Sequence, residues 1–252
     1  MFRKSILPSP SRRGEGMDRV PMRILEIYQS KQGEGLWTGT YSVFVRTLGC
    51  LLRCRYCDTP FAQSGSEDEE EGADLSPEEI VGRVLLLDLP HIVLTGGEPM
   101  LTPEIVELTR LLKEYEYQIT IETSGIVDAD VCCDLMSISP KLSNSTPIDA
   151  PSERREFHEK TRHRPEVVRK LMERYPYQLK FVVDTPDDFK EAEEYLNLFP
   201  DVIPHRVYMM PQVVDTDTML DKAEWLLPFC VDRGFRYCPR MQLVWYGNKR
   251  RT

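Results

Sequence analysis

No run of about 18 apolar residues occurs in the chain, which excludes a transmembrane helix. There is no secretory apolar stretch ahead of the cysteines, and their number, seven, is odd. Both absences argue against a disulfide framework and for a reducing compartment, so a cytoplasmic location is expected. Basic residues form no stripe and the net charge is −9, which excludes nucleic acid as a partner. The acidity is local, because Glu67, Asp68, Glu69, Glu70, Glu71 and Asp74 crowd into one segment. No internal repeat is visible. At 252 residues the chain can bury a full core, so any metal serves chemistry rather than the fold.

Of what is present, three cysteines stand first. Cys50, Cys54 and Cys57 are spaced C-x3-C-x2-C, one thiolate short of the four that normally enclose an iron–sulfur cluster. Three protein ligands leave one iron open to a small molecule. A Cys3His zinc site would want its fourth ligand at finger-like spacing, and the next histidine, His91, lies beyond the acidic segment. Structural core cysteines would not bracket Arg53 and Arg55. The spacing points to a cluster, with zinc as the alternative. Cys132, Cys133 and Cys230 fall in stretches that read as buried or connecting and are expected to pack as small hydrophobes.

Residues 1–21 read as an appended linker-like segment, rich in proline, serine and arginine. A transit peptide is the alternative, but the segment has no apolar stripe. Met17 or Met22 is a candidate start, and 22–252 is expected to form one domain. Residues 64–74 are expected to be a solvated, mobile loop, since like charges repel and nothing there can pack. Strands are expected over 23–28, 42–48, 91–95, 118–122, 135–139, 178–183, 207–210 and 242–245. Helices should begin at Ser76-Pro77, Thr102-Pro103 and Thr185-Pro186, each with a hydroxyl N-cap, a first-position proline and acids in the first turn. Ser76 and Glu79 also make a capping box. Strand and helix in alternation imply parallel strands with right-handed crossovers. About six units, fewer than the eight of a closed barrel, imply a partial, open parallel α/β barrel.

In such folds functional residues collect at the C-terminal ends of strands. Thr95-Gly96-Gly97-Glu98-Pro99, Glu122-Thr123-Ser124-Gly125 and Ser139-Pro140-Lys141 each follow an apolar strand. Paired glycines let backbone approach a ligand closely, although a plain strand-to-helix turn would also use them. Each segment is weak alone, but three in register behind one cluster motif are not.

Taken together, the cysteine spacing with Tyr56 and Gly96-Gly97-Glu98-Pro99 resembles the radical S-adenosylmethionine superfamily. Within it, Gln32-Gly33-Glu34-Gly35, Phe44-Val45-Arg46, Cys57-Asp58-Thr59, Glu122-Thr123-Ser124-Gly125 and Ser139-Pro140-Lys141 resemble the 7-carboxy-7-deazaguanine synthase family. The resemblance implies conversion of 6-carboxy-5,6,7,8-tetrahydropterin to 7-carboxy-7-deazaguanine with loss of ammonia, a step toward queuosine and related 7-deazapurines. It implies a [4Fe–4S] cluster on Cys50, Cys54 and Cys57. S-adenosylmethionine would lie beside Tyr56, Gly97, Ser139, Pro140 and Lys141. Lys31, Gln32, Gly33, Arg46 and Thr95 would meet the pterin, the Arg46 fork suiting a carboxylate. Thr59 alone reads as a turn cap; within the resemblance its hydroxyl is a ligand of Mg2+, which takes oxygen donors. A homodimer and an electron donor such as flavodoxin or ferredoxin are also implied. Met209-Met210-Pro211-Gln212 departs from the Gln-Pro that many relatives carry.

Two other readings compete. A glycyl-radical activase shares C-x3-C-x2-C, but it acts on a protein backbone and has no use for Gln32-Gly33-Glu34, Arg46 and Thr59 as a small-molecule set. A noncatalytic iron–sulfur or zinc module would leave Gly96-Gly97-Glu98 and Ser139-Pro140-Lys141 without a purpose.

Overall fold

The computed structural model describes residues 21–63, 72–247 and 249–250. Residues 1–20 of the appended segment and 64–71 of the acidic run lie outside the described residues. Strands β1 (Met22–Lys31) and β2 (Tyr41–Thr47) pair antiparallel, because residues 32–40 are too few for a crossover. This departs from the parallel arrangement expected throughout. Strand β3 (Ala73–Leu75) joins the other edge of β1, also antiparallel. Ala73 and Asp74 therefore belong to a strand, not to a loop reaching 74.

From β2 onward the expected parallel order holds. It runs through β4 (His91–Gly96), β5 (Gln118–Thr123), β6 (Leu135–Ile138), β7 (Tyr177–Val183), β8 (Val207–Pro211) and β9 (Arg236–Tyr237). The sheet order is β3-β1-β2-β4-β5-β6-β7-β8-β9. Its edges, β3 and β9, do not pair, so the sheet is open. Helices α1 (Pro77–Leu85), α2 (Ile105–Glu114), α3 (Ser152–Arg162), α4 (Pro165–Arg174), α5 (Pro186–Leu196) and α6 (Thr216–Arg233) fill the crossovers. Among the described residues no helix is long and apolar enough to cross a membrane.

The helix starts show their local causes. Glu79 N–H donates to Ser76 Oγ at 3.2 Å, and Ser76 N–H to the Glu79 carboxylate at 2.8 Å. Thr185 and Asp188 form the same reciprocal cap on α5. The third start is displaced. A 3-10 turn over Pro99–Leu101 comes first, capped by the Glu98 carboxylate, and α2 begins at Ile105 rather than after Thr102. Residues 242–245, expected as a strand, lie in helix α7 (Met241–Tyr246). A short apolar run cannot be assigned by periodicity alone, and here the sheet has already ended at the two-residue β9. Leu243 packs instead with Val213 and Met219.

Alternation along the strands divides the molecule. Val43, Val45, Ile92, Leu94, Ile119, Ile121, Leu179 and Phe181 point to the helices and are fully buried in the main core. The intervening Phe44, Arg46, Thr95, Glu122, Lys180 and Val182 face a cavity on the other side. One face of the sheet makes the core; the other makes the site.

Candidate active site

The cavity measures about 820 Å³ and opens at the C-terminal ends of the parallel strands. Its rim includes the irregular loop that follows β2 and carries Cys50, Cys54 and Cys57. The loop is held before any ligand arrives. Gly49 N–H donates to Ala62 O at 2.9 Å, Glu98 N–H to Gly49 O at 2.8 Å, and Arg55 N–H to Ser145 O at 2.9 Å. The Arg53 guanidinium donates to the carbonyls of Cys50 and Leu52 at 2.7 and 2.9 Å. His158 of α3 accepts from Arg53 N–H at 3.2 Å and meets Ser145 Oγ at 2.9 Å. Gly97 is required by this packing, because a Cβ there would lie 2.1 Å from Gly49 O.

All seven cysteines are free thiols. Burial, followed by the Glu98 charge, pushes Cys50 up to about 12, and burial pushes Cys54 up to about 11. Half-buried thiols on one cavity wall suit a cationic partner, which would stabilise their ionised form. Glu98 itself turns away from the cavity. Its carboxylate accepts from Thr123 Oγ1 at 2.7 Å and from Ser124 N–H at 2.8 Å, tying β4 to β5. Cys230 and Cys133 pack against the core as expected, but Cys132 is exposed on the helix-free β5–β6 connection.

Thr59 starts the 3-10 turn Pro60–Ala62, yet its side chain makes no capping hydrogen bond. The hydroxyl lies 3.8 Å from Cys57 Sγ, on the cavity wall. Arg46 donates from Nε to Glu26 at 2.7 Å and from Nη2 to Tyr28 OH at 3.1 Å. Gln32 and Thr95 converge on Glu122, each donating at 2.9 Å to a different carboxylate oxygen. Lys31 lies over the Tyr41 and Trp245 rings. Lys141 donates to Ser139 Oγ at 2.8 Å. Tyr56 packs against Val182, Tyr208, Met210 and Cys238, and its buried hydroxyl has no partner among the described residues. Every residue to which the resemblance gives a cluster, cofactor, metal or substrate role lines this one cavity except Pro140, which is buried beside it.

Around Glu34 of the Gln32-Gly33-Glu34 segment the cavity also holds charged and polar groups that the sequence reading did not place in the site, Lys180, Arg240 and Gln242. Glu34 accepts from Lys180, from Gln242 at 2.7 Å and from Arg240 Nε at 3.4 Å. Burial would raise its pKa, but the Lys180 and Arg240 charges outweigh that and hold it down at about 2. Arg240 reaches on to Asp58 at 2.7 Å. Glu26 receives Arg250 at 3.3 Å as well as Arg46. Lys180 did carry a signal, as a lone charge inside the buried strand Leu179-Lys180-Phe181.

The profile of the radical SAM superfamily matches residues 44–196. A 7-carboxy-7-deazaguanine synthase of Rhodopirellula baltica is 40% identical over 232 residues, covering 91% of this chain and 88% of that one. The chain belongs to the 7-carboxy-7-deazaguanine synthase family of radical SAM proteins. A family member from Halobacterium salinarum is 34% identical over 248 residues, with 94% and 95% covered. The fold is that of a crystal structure of QueE from Escherichia coli, with a TM-score of 0.65 at 23% identity, over 87% of this chain and 93% of that one. Membership displaces the readings as a glycyl-radical activase or a noncatalytic module.

Radical SAM membership implies S-adenosylmethionine and a [4Fe–4S] cluster, and the residues present fit both. Three free thiols on one loop form the donor set of a cluster with an open iron. The unsatisfied Tyr56 hydroxyl on the same wall offers a polar contact to a ligand beside it.

Proposed function

We propose that the chain converts 6-carboxy-5,6,7,8-tetrahydropterin to 7-carboxy-7-deazaguanine with release of ammonia, with residues 22–252 acting as one catalytic domain. The observation that carries this reading is the gathering of the cysteine loop, Thr59, Arg46 and the Gln32–Thr95–Glu122 group around one cavity. Cys50, Cys54 and Cys57 would hold the cluster, and Tyr56, Gly97, Ser139, Pro140 and Lys141 would hold S-adenosylmethionine. When bound and supplied with one electron from a reductant, these cofactors would supply radical hydrogen-abstraction chemistry.

The chain's own residues bind and orient. Arg46 presents a fixed fork to the pterin carboxylate, its geometry set by Glu26 and Tyr28. Gln32, Gly33, Thr95 and Lys31 line the ring's place, where an amide supplies donor and acceptor. Thr59 would give one oxygen to Mg2+, the remaining positions falling to substrate and water. The apolar wall of Phe44, Val182 and Met210 keeps water from the reacting carbon. A homodimer, a cytoplasmic location and a protein donor such as flavodoxin or ferredoxin complete the reading.

The test is turnover of the carboxypterin by anaerobically reconstituted wild type and Arg46→Lys. Lysine replaces the planar fork with a point charge, so a bidentate contact to a ligand carboxylate becomes a single one. Arg46→Lys should lose most product formation while slow cleavage of S-adenosylmethionine without product persists. Equal loss of both activities would mean that Arg46 serves only the fold.

A further inference from the structure

Arg240 joins three separate parts of the cavity wall through three different nitrogens. Nη2 donates to Asp58 at 2.7 Å, Nη1 to Val213 O at 2.6 Å, and Nε to Glu34 at 3.4 Å. Asp58 follows Cys57 directly, so this contact ends on the cysteine loop. Val213 follows β8. Glu34 belongs to the β1–β2 connection and lines the cavity beside Gln32 and Gly33. The charges alternate along one line, Asp58, Arg240, Glu34 and Lys180, from the cysteine loop to the middle of β7. Arg240 and Glu34 are almost wholly buried, with side chains 12% and 11% exposed.

The three contacts of Arg240 are unequal. Those to Asp58 and Val213 are short, whereas Glu34 holds it at 3.4 Å through the oxygen that also accepts Gln242 at 2.7 Å. A ligand N–H that takes this Glu34 oxygen would displace the weakest bond first. Arg240 would then be left to Asp58 and Val213, drawn toward the cysteine loop.

We propose that Arg240 is a positioning residue that couples occupancy of the pterin pocket to the cysteine loop, so that substrate and S-adenosylmethionine each tighten the other's binding. This rests on the reading of the site as a carboxypterin site. Binding coupling is reciprocal, and a coupling of this kind is typically worth about fivefold or more in affinity. Asp58, 54% exposed on its side chain, is the point at which to cut the line without stranding a buried charge.

The experiment measures the Kd of S-adenosylmethionine on the reconstituted holoproteins, with and without saturating 6-carboxypterin. Wild type, Asp58→Ala and Arg240→Lys are compared by anaerobic isothermal titration calorimetry with S-adenosylmethionine, without added reductant. The pterin should tighten binding about fivefold or more in wild type, and the factor should fall toward one in both variants. The Kd of Asp58→Ala without pterin should stay within about twofold of wild type, and its melting temperature should match it, because its side chain is half exposed. A factor retained in Asp58→Ala, or no factor in wild type, would overturn the proposal. Wild type that forms no product from 6-carboxy-5,6,7,8-tetrahydropterin fails the functional reading itself. Wild type that forms product but shows no coupling fails this inference alone.

Discussion

Thr59 stands two residues beyond Cys57, and its hydroxyl faces the cavity instead of capping the turn it begins. That placement is what the proposed magnesium role requires. Thr59→Ala is predicted to fold, load iron and bind S-adenosylmethionine, yet lose most of its response to added Mg2+. Impairment rather than abolition is expected, because water can replace one oxygen ligand. Thr59→Ser keeps the hydroxyl and should keep much of the response. Turnover against Mg2+ concentration for the three proteins checks this, and coincident curves would remove the metal from the account. At this scale the sequence was legible where residues of the cavity wall are close in the chain, as in Cys50 to Thr59. It was not legible where a contact joins distant segments. Nothing near Glu34 in the chain announces Arg240, 206 positions away, and Gln242 was hidden by a run that reads as a strand.

Between elements, His91 shows how a buried polar group fastens the sheet. Its ring meets Ser42 Oγ of β2 at 2.7 Å and Thr120 Oγ1 of β5 at 2.8 Å, bridging three adjacent strands. Burial pulls its pKa from 6.5 down to about 4. The unfolded chain therefore binds a proton that the folded chain refuses between these values. Stability contributed by neutral His91 is complete above pH 6.5 and is lost as pH falls through about 4. The loss approaches about 3 kcal/mol by the lower value. Urea midpoints between pH 7 and 5 should fall for wild type and fall less for His91→Gln, which cannot titrate. Parallel lines for the two proteins would place the acid sensitivity elsewhere. The strand carrying His91 was legible because its apolar run is bounded by Pro90 and Gly96. The antiparallel turn of β1 onto β2 had to be read from the brevity of 32–40, and β9, at two residues, left no pattern to read.

For the whole molecule, the open sheet carries the fold on its helix-covered face and the proposed chemistry on the other. The core lies between sheet and helices, and the cysteine loop stands outside it on the cavity rim. Removing the cluster should then abolish activity without unfolding the chain. The measurement is made on anaerobically reconstituted wild type and Cys54→Ala. It records iron content, melting temperature and 7-carboxy-7-deazaguanine formed from 6-carboxy-5,6,7,8-tetrahydropterin. Wild type should hold four irons per chain and form product, since a cube needs every available thiolate. Cys54→Ala should melt close to the wild-type protein stripped of iron, stay colourless and form none. A Cys54→Ala protein with wild-type iron and turnover would contradict the account.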